Sequence, residues 1–511
     1  MRILTSAEMK CVESLADGAG VSYEQLMENA GSAAAAAICA KIPVEGLSCL
    51  VVCGCGNNGG DGFVVARKLW ESGARVAVAL AMGLPKTAQS IAMLDRLRQT
   101  EVPVWSIGLA WRQVEQAFEQ ADIVVDAMFG TGFCGELSGE AALMADHINS
   151  AVAAVFALDL PSGVASDSGF AAPSSVRADF TIAFDSLKPA HLIYPGREYA
   201  GETETVSIGV PEECRGEDPG SHFLIGDEMI FSGLKKRPPH SHKGDFGRLL
   251  NICGSPGMPG AAVISALSAA RCGVGLLTVA SSRGTFPALN VRLPEAMVLP
   301  LEETVEGHIS AENAGRLLEA LARADACLVG CGMGNSEDTQ ALMRQIVPGA
   351  RCPLVIDADG INALLPCIDI LQEAKAPVIL TPHMGEMARL AGCSVRELEQ
   401  HRTEYAQAFA QEHRAVIVLK SSTTTVVTPE GAVFLNCTGN AGLASGGSGD
   451  LLAGMIASFC AQGYSPLQSA AAGVYLHGAA ADRCAARLSQ YAMLPTDILT
   501  DLSAIFLDHG F

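Results

Sequence analysis

Short runs dominated by Val, Ile, Leu and Ala recur along this chain, and stretches with helical spacing lie between them. In the first part the runs are Leu47 to Gly54, Ala74 to Leu80, Ala121 to Ala127, Ala153 to Leu160 and Ala178 to Phe184. A strand without apolar/polar alternation is buried on both faces, and intervening helices return the chain to start the next strand in the same direction. The pattern therefore predicts α/β architecture with a parallel sheet. It resumes at Gly247 to Gly254, Leu276 to Ala280, Ala326 to Gly332, Pro353 to Gly360, Pro377 to His383 and Ala415 to Lys420. Thr423 to Asn436 reads as a hairpin around Pro429-Glu430-Gly431. Between the halves, Pro211 to Glu228 is acidic with Pro and Gly, and Lys235 to Gly247 is basic and Pro-rich. A boundary is expected between Val210 and Asp227, which divides the 511 residues into domains of 1–218 and 219–511. The halves share a fold class but not their motifs, so they are not read as a duplication.

Lys plus Arg is 34 and Asp plus Glu is 55, a formal charge of 34 − 55 = −21. Nucleic-acid phosphates need clustered cations, so a nucleic-acid partner is not expected. A nucleotide remains open, because backbone N–H groups at a Gly-rich helix start can hold its phosphates. At 49% hydrophobic and 17% charged the chain is not disordered. No apolar run approaches a membrane span; even Ala151 to Leu160 is cut by Asp159. The N-terminus, with Thr5 and Glu8 spaced as a capping box, reads as a helix start and not as a signal peptide. A second box is read at Ser22 and Gln25. Seventeen scattered Cys, many inside apolar segments, fit reduced buried thiols in a cytoplasmic protein better than a zinc or disulfide framework.

The densest local signal is Gly54-Cys-Gly-Asn-Asn-Gly-Gly-Asp-Gly62, between a strand run and the helical pattern that opens at Phe63. Its glycines let backbone approach a ligand, and Asn57, Asn58 and Asp61 add polar side chains. Asp126 leads into Met128 to Glu136, Asp159 leads into Leu160 to Val164, and Lys188 follows a further run. In open parallel sheets the loops at strand C-termini converge on one edge. A lone strand-end Asp is usually a cap or turn former, but here the pattern repeats.

The motifs GCGNNGGDG, DAMFGTG and ALDLPSG, in this order, resemble the NAD(P)H-hydrate epimerase family over roughly the first 210 residues. The resemblance implies a Rossmann-like fold. It also implies contact of Asn57, Asn58, Gly59, Gly60 and Asp61 with a damaged dinucleotide, together with Gly130, Thr131, Gly132, Phe133, Cys134, Gly135 and Glu136. Asn58, Asp126 and Ser162 would hold K+, whose hardness suits their oxygens. Asp159 would face the hydroxylated nicotinamide ring. Lys188 is the candidate second acid/base, with the two groups expected on opposite sides of one carbon.

In the second half Gly446, Gly447 and Gly449 precede Asp450, which begins an apolar helical pattern. Such a loop offers N–H groups to a transferring phosphate, and Asp450 is placed to take a proton from an attacking hydroxyl. The plainer alternative is a helix N-cap Asp. The Walker A spacing GxxxxGK[ST] is absent. With the segments 254–266, 329–336, 357–364, 381–386 and 419–427, this loop resembles the ADP-dependent NAD(P)H-hydrate dehydratases, which are ribokinase-like. The resemblance implies ADP binding by Lys420, Ser421, Ser422, Thr423 and Thr424. It extends that role to Asn440, Ala441, Gly442, Leu443, Ala444, Ser445, Gly446, Gly447, Ser448 and Gly449. Ala261, Gly332, His383 and Asp450 would meet the hydrate, and Mg2+ would accompany ADP. Met384 after His383, and Ser421 after Lys420, depart from the Pro and Gly frequent in such relatives.

These resemblances imply a bifunctional repair enzyme that interconverts R and S hydrates of NADH and NADPH and dehydrates the S form with ADP. A homo-oligomer is expected. Two other readings stand beside it: a ribokinase-like small-molecule kinase with an accessory domain, and a first half that is a non-catalytic binding module.

Overall fold

The computed structural model describes residues 2–216 and 222–511. The chain divides into two compact units, Arg2–His222 and Phe223–Phe511. The division expected at 218/219 lies outside the described residues.

The first unit is a parallel sheet of β1 (Ser48–Cys53), β2 (Arg75–Leu80), β3 (Val104–Ser106), β4 (Ile123–Ala127), β5 (Ala154–Leu158), β6 (Phe180–Phe184) and β7 (Glu202–Val206). Their order is β3-β2-β1-β4-β5-β6-β7. All five apolar runs are strands. The two unexpected strands lie at the sheet edges, where a strand needs no apolar run, and β7 (Glu-Thr-Glu-Thr-Val) leaves most of its side chains exposed or half-buried. Along β1, Val51 and Cys53 enter one core while Leu50 and Val52 enter the other. Burial on both faces removes the alternation that a one-sided sheet would show. Helices α1 (Ser6–Gly18), α2 (Tyr23–Lys41), α3 (Asn57–Glu71) and α4 (Ala88–Leu97) cover the first face. Helices α5 (Trp111–Gln120) and α6 (Gly139–Ser150) cover the second.

Thr5 and Glu8 form the reciprocal box at α1, with Thr5 N–H donating to Glu8 at 2.9 Å and Glu8 N–H to Thr5 at 3.3 Å. At α2 only half the box exists. Ser22 accepts from Gln25 N–H at 3.3 Å, but the Gln25 side chain turns to Asn29 at 2.7 Å.

The second unit carries β8 (Arg248–Ile252), β9 (Leu276–Ser282), β10 (Met297–Leu301), β11 (Ala326–Val329), β12 (Leu354–Ile356), β13 (Val378–Leu380), β14 (Ala415–Leu419), β15 (Thr424–Val427) and β16 (Val433–Asn436). Their order is β16-β15-β14-β13-β12-β11-β8-β9-β10. Pairing is parallel from β10 to β14 and antiparallel through β15 and β16. The expected hairpin closes through Gly431 N–H to Thr428 at 2.9 Å and Thr428 N–H to Ala432 at 3.0 Å. Helix α7 (Pro259–Arg271) and helices α8 (Met384–Ala391), α9 (Ser448–Ala461) and α10 (Pro466–Leu488) complete the part that matters for the site. The residues of α9 from Leu451 to Ala461 are all buried, so α9 is apolar all round and runs through the core. All seventeen Cys are free thiols. No helix among the described residues is long and apolar enough to cross a membrane.

Candidate active sites

In the first unit the strand order reverses at β1, whose neighbours are β2 and β4. The loops that leave β1 and β4 open a crevice there. They are held together by Gly54 N–H donating to Ala127 at 3.0 Å. A cavity of about 470 Å³ lies at this edge, lined by Asn57, Asn58 and Asp61 of α3, by Gly130 to Phe133, and by Asp159 and Lys188.

Asp159 has φ of 62°, a left-handed conformation that costs a non-glycine residue free energy and recurs at functional sites. Its N–H donates to Ile182 at 2.8 Å. Lys188 Nζ lies 2.6 Å from Asp159 Oδ1 and donates to the Phe184 carbonyl at 2.7 Å, with Lys188 only 1% exposed. Beneath them Lys188 N–H donates to His191 Nδ1 at 2.9 Å, and His191 Nε2 lies 2.7 Å from the Asp159 carbonyl. Because Nδ1 accepts, Nε2 carries the proton and donates, so His191 is neutral. Burial, then the nearby Lys188 ammonium, pushes its pKa down to about 4. Asp159 and Lys188 thus form an ion pair on one wall and do not flank the cavity from opposite sides. A long Lys side chain at a sheet end reaches the nearest buried carboxylate, and sequence spacing does not show that direction.

Asp126, at 0% exposed, accepts from Ser162 Oγ (2.7 Å), Ser162 N–H (2.7 Å) and Met128 N–H (3.1 Å). Ser162 Oγ in turn accepts from Phe129 N–H at 2.9 Å. All of these donors are neutral. Burial lifts the Asp126 carboxyl to about 6, against the lowering effect of those hydrogen bonds. A Cβ placed on Gly130 would lie 3.3 Å from Asp159 Oδ2 and 3.4 Å from Asn58 Oδ1, so the bare backbone there lets both oxygens approach. The Asn58 Nδ2 is buried without a protein partner.

The Gly-rich stretch differs from the sequence expectation. Helix α3 starts at Asn57, so most of the Gly-rich stretch is helix and not loop. Gly59 and Gly60 serve packing: a Cβ on Gly59 would stand 2.0 Å from the Gly54 carbonyl oxygen, and one on Gly60 2.5 Å from Met27 Sδ. Neither lines the cavity, and nor do Cys134, Gly135 and Glu136. The sequence reading missed Glu13 of α1, which does line it. Burial raises the pKa of Glu13, and the Asp159 charge adds to the rise; Asp61 is pushed well up by burial and then by Asp159 and Glu13. A Glu in an amphipathic helix gives no sequence signal of this kind.

In the second unit the ends of parallel strands converge again. Asp357 directly follows β12, and the next residue, Ala358, has φ of 48°. Lys420 directly follows β14 and places Nζ 2.6 Å from Asp357 Oδ1, which also accepts from Thr381 Oγ1 at 2.7 Å. Lys420 N–H donates to the Pro382 carbonyl at 2.8 Å, which ties the two strand ends together. Cys331 Sγ stands 3.6 Å from Asp357 Oδ2. A Cβ on Gly330 would fall 2.0 Å from the Asp357 carbonyl oxygen, so only glycine fits at that approach.

Asp450 is the third residue of α9, whose N-cap is Gly447 at φ of 99°. It does not cap the helix, so the N-cap alternative fails. Gly447 brings no side chain to the cap of α9, and uncapped first-turn N–H groups are suited to an anion. Burial, then the Asp357 charge, lifts the Asp450 carboxyl to about 6, while Cys331 and Lys420 pull it back. A Cβ on Gly449 would lie 3.3 Å from Lys420 Nζ, so Gly449, Lys420, Asp357 and Asp450 meet at one point. Ser448 Oγ is buried there without a protein partner.

The other expected residues are held by contacts of their own. Ala261 and Gly332 abut, with a Cβ on Gly332 only 2.7 Å from the Ala261 Cβ. His383 caps α8, Nδ1 accepting from Gly385 N–H (3.0 Å) and Glu386 N–H (3.3 Å) while Glu386 accepts from His383 N–H (2.8 Å). Its ring is therefore engaged in a cap. Ser421 Oγ donates to the Thr423 carbonyl at 2.6 Å, which closes the turn after Lys420, and Thr424 begins β15. Asn440 is held by Asp482, and its Oδ1 accepts from Gly442 N–H at 3.0 Å in the turn Ala441–Leu443. Asp357, Cys331 and Thr381 lie in supporting motifs of the sequence reading, which gave none of them a role. DADG was a visible signal for Asp357, but only the fold shows that it pairs with Lys420.

The family model for NAD(P)H-hydrate dehydratase matches residues 249–503, and that for the YjeF-related protein N-terminus matches 23–190. Along nearly its whole length the chain is similar to the bifunctional NAD(P)H-hydrate repair enzymes of Moorella thermoacetica (37% identical, 98% of this chain, 95% of the relative) and Escherichia coli K12 (36%, 96% and 91%). The second unit is similar to a ribokinase-like superfamily protein from Enterococcus faecalis V583, with a TM-score of 0.50 and 30% identity over 56% of this chain and 96% of that one.

Proposed function

Since the chain belongs to the bifunctional NAD(P)H-hydrate repair enzymes, we propose that residues 1–218 epimerise hydrated NADH and NADPH and that residues 219–511 dehydrate the S epimer at the expense of ADP. The observation that carries this reading is a repeated device. Each unit sets a buried carboxylate–ammonium pair at a sheet end, beside a helix start rich in glycine: Asp159–Lys188 in one and Asp357–Lys420 in the other.

In the first site Asp159 Oδ2 is turned toward the Gly130 backbone, while Oδ1 is held by Lys188. The ring nitrogen lone pair expels the hydroxyl as it accepts a proton, and water returns to the other face as it loses one. Asp159, with Lys188 supplying charge beneath it and Glu13 and Asp61 nearby, gives and takes that proton. Potassium fits here. Asp126 is a buried carboxylate with only neutral partners, and Asn58 and Ser162 add neutral oxygens. A bound monovalent cation would supply the missing countercharge and orient the substrate's polar groups.

In the second site Asp450 takes the proton of the ring hydroxyl, whose oxygen bonds the terminal phosphorus of ADP as the bond to AMP breaks. Phosphate then leaves, the adjacent carbon loses a proton, and the ring double bond returns. Hydrate and ADP become NAD(P)H, AMP and phosphate. The uncapped start of α9 and Lys420 receive phosphoryl charge. Magnesium arriving with the nucleotide would find the Asp357 carboxylate, and would neutralise phosphate charge. The free thiols and the net charge of −21 support a cytoplasmic protein with no nucleic-acid partner, and a homo-oligomer is part of the same reading.

Liquid chromatography of both epimers with the purified protein tests this. Both should disappear when ADP or ATP is present, and they should only interconvert without it. A stable phosphorylated product would instead mark a small-molecule kinase. Epimer exchange at the uncatalysed rate would mark the first unit as a binding module.

A further inference from the structure

One ligand set at the second site is of a kind that neither the nucleotide nor the hydrate calls for. The Cys331 thiol and the carboxylates of Asp357 and Asp450 each offer one donor atom, and these three atoms lie within 4.8 Å of one another. Cys331 Sγ and Asp357 Oδ2 are already 3.6 Å apart. Two ligands of one tetrahedral zinc, at about 2.0–2.3 Å from the metal, stand roughly 3.3–3.8 Å from each other. The first two ligands thus need no movement. The Asp450 carboxylate, on the first turn of α9 and less buried than the other two, has no more than about 1 Å to close.

The charge at the site suits a divalent ion. Lys420 and Thr381 both engage Asp357 Oδ1, which leaves Oδ2 directed at Cys331. The Lys420 ammonium balances one carboxylate. A second carboxylate and a thiol remain, and the thiol gives up its proton when a soft metal binds. An ion reaches them from the side of Asp450 and Lys420, which are the partly open members of the cluster; the Lys420 side chain is 19% exposed. Magnesium takes oxygen ligands and has no use for sulfur, whereas Zn2+ and Cd2+ favour it.

We propose that Cys331, Asp357 and Asp450 form a site for a thiophilic divalent cation, the fourth position being left to water or to a ligand oxygen. Occupation ties up Asp450, so the ion acts as an inhibitor of the second site. The inhibition rests on the reading of Asp450 as the base, but the binding does not.

Cadmium reports on binding without any substrate, because a thiolate–Cd2+ bond absorbs in the ultraviolet. Titration of the full chain with Cd2+ is compared with that of Cys331→Ala and Asp450→Asn. The wild type should take up one more equivalent into the thiolate band than Cys331→Ala does. Asp450→Asn should weaken that equivalent at least tenfold, Zn2+ should displace it, and Mg2+ should not. Equal uptake by the wild type and Cys331→Ala overturns the site, and so does an unchanged affinity in Asp450→Asn. Should Cys331→Ala fail to fold, the Asp450→Asn comparison decides alone. Binding as expected, with dehydration unaffected by Zn2+, would leave the site standing and refute the assignment of Asp450 as base.

Discussion

In a Lys188→Met chain the Asp159 carboxylate keeps its buried place and loses the ammonium 2.6 Å away. Met matches the length and apolar stem of Lys, so the change removes charge with little change of volume. The Phe184 carbonyl, which also accepts from Lys188 Nζ at 2.7 Å, is left short of a donor. Removing one partner of a buried pair costs about 3–5 kcal/mol, since the remaining charge is uncompensated. All three Trp of the chain (Trp70, Trp105 and Trp111) lie in the first unit, so their fluorescence follows the unfolding of that unit alone. With a urea dependence of about 2–3 kcal/mol per molar, the midpoint should fall by about 1–2.5 M. Asp159→Asn should also destabilise, because it strands the ammonium. The double variant Asp159→Asn/Lys188→Met should be less destabilised than the two single losses together, by at least about 1 kcal/mol. A midpoint within about 0.3 M of the wild type in Lys188→Met, or strict additivity in the double variant, would refute a buried ion pair. Epimer exchange should be lost in all three.

Asp450→Asn should lower S-hydrate dehydration by about 10²–10⁴-fold, the usual weight of a general base. With that carboxyl lifted to about 6, wild-type dehydration should fall as the pH drops through that value, since the base becomes protonated. The sign for stability is opposite. A raised carboxyl favours the folded state below its unfolded value near 3.8, and the advantage is gone once the pH has risen through about 6. Asp450→Asn should therefore raise the calorimetric melting temperature of the second unit more at pH 8 than at pH 5; the reverse order would count against burial as the cause. Gly59→Ala puts a Cβ 2.0 Å from the Gly54 carbonyl oxygen and should destabilise the first unit by about 1–3 kcal/mol or more, read by the same Trp fluorescence. Exchanging K+ for tetramethylammonium should lower the stability of the first unit and its epimer exchange, because binding to the folded state adds RT ln(1 + [L]/Kd). Asp126→Asn should abolish that difference, and a midpoint indifferent to the cation would remove K+ from Asp126.

Much of this architecture was written in periodicity alone. The apolar runs became central strands because a strand packed by helices on both faces cannot alternate, and that constraint is local to each run. The edge strand Glu202–Val206 escaped because an edge makes no such demand. The candidate sites were legible as motifs at strand ends, since a parallel sheet sends those ends to one side. What a motif could not tell was direction. Gly59 and Gly60 looked like ligand-facing backbone, yet Gly59 lets α3 close on the Gly54 backbone and Gly60 lets it pack against Met27 of α2. Asp159 and Lys188 looked like opposed groups, yet they pair. Asp450 could have been a cap, and only the place of Gly447 as N-cap rules that out. Glu13, Asp357 and Cys331 acquire meaning solely from neighbours tens or hundreds of residues away. Burial and proximity set their charge, and both are properties of the packed chain that no stretch of sequence carries by itself.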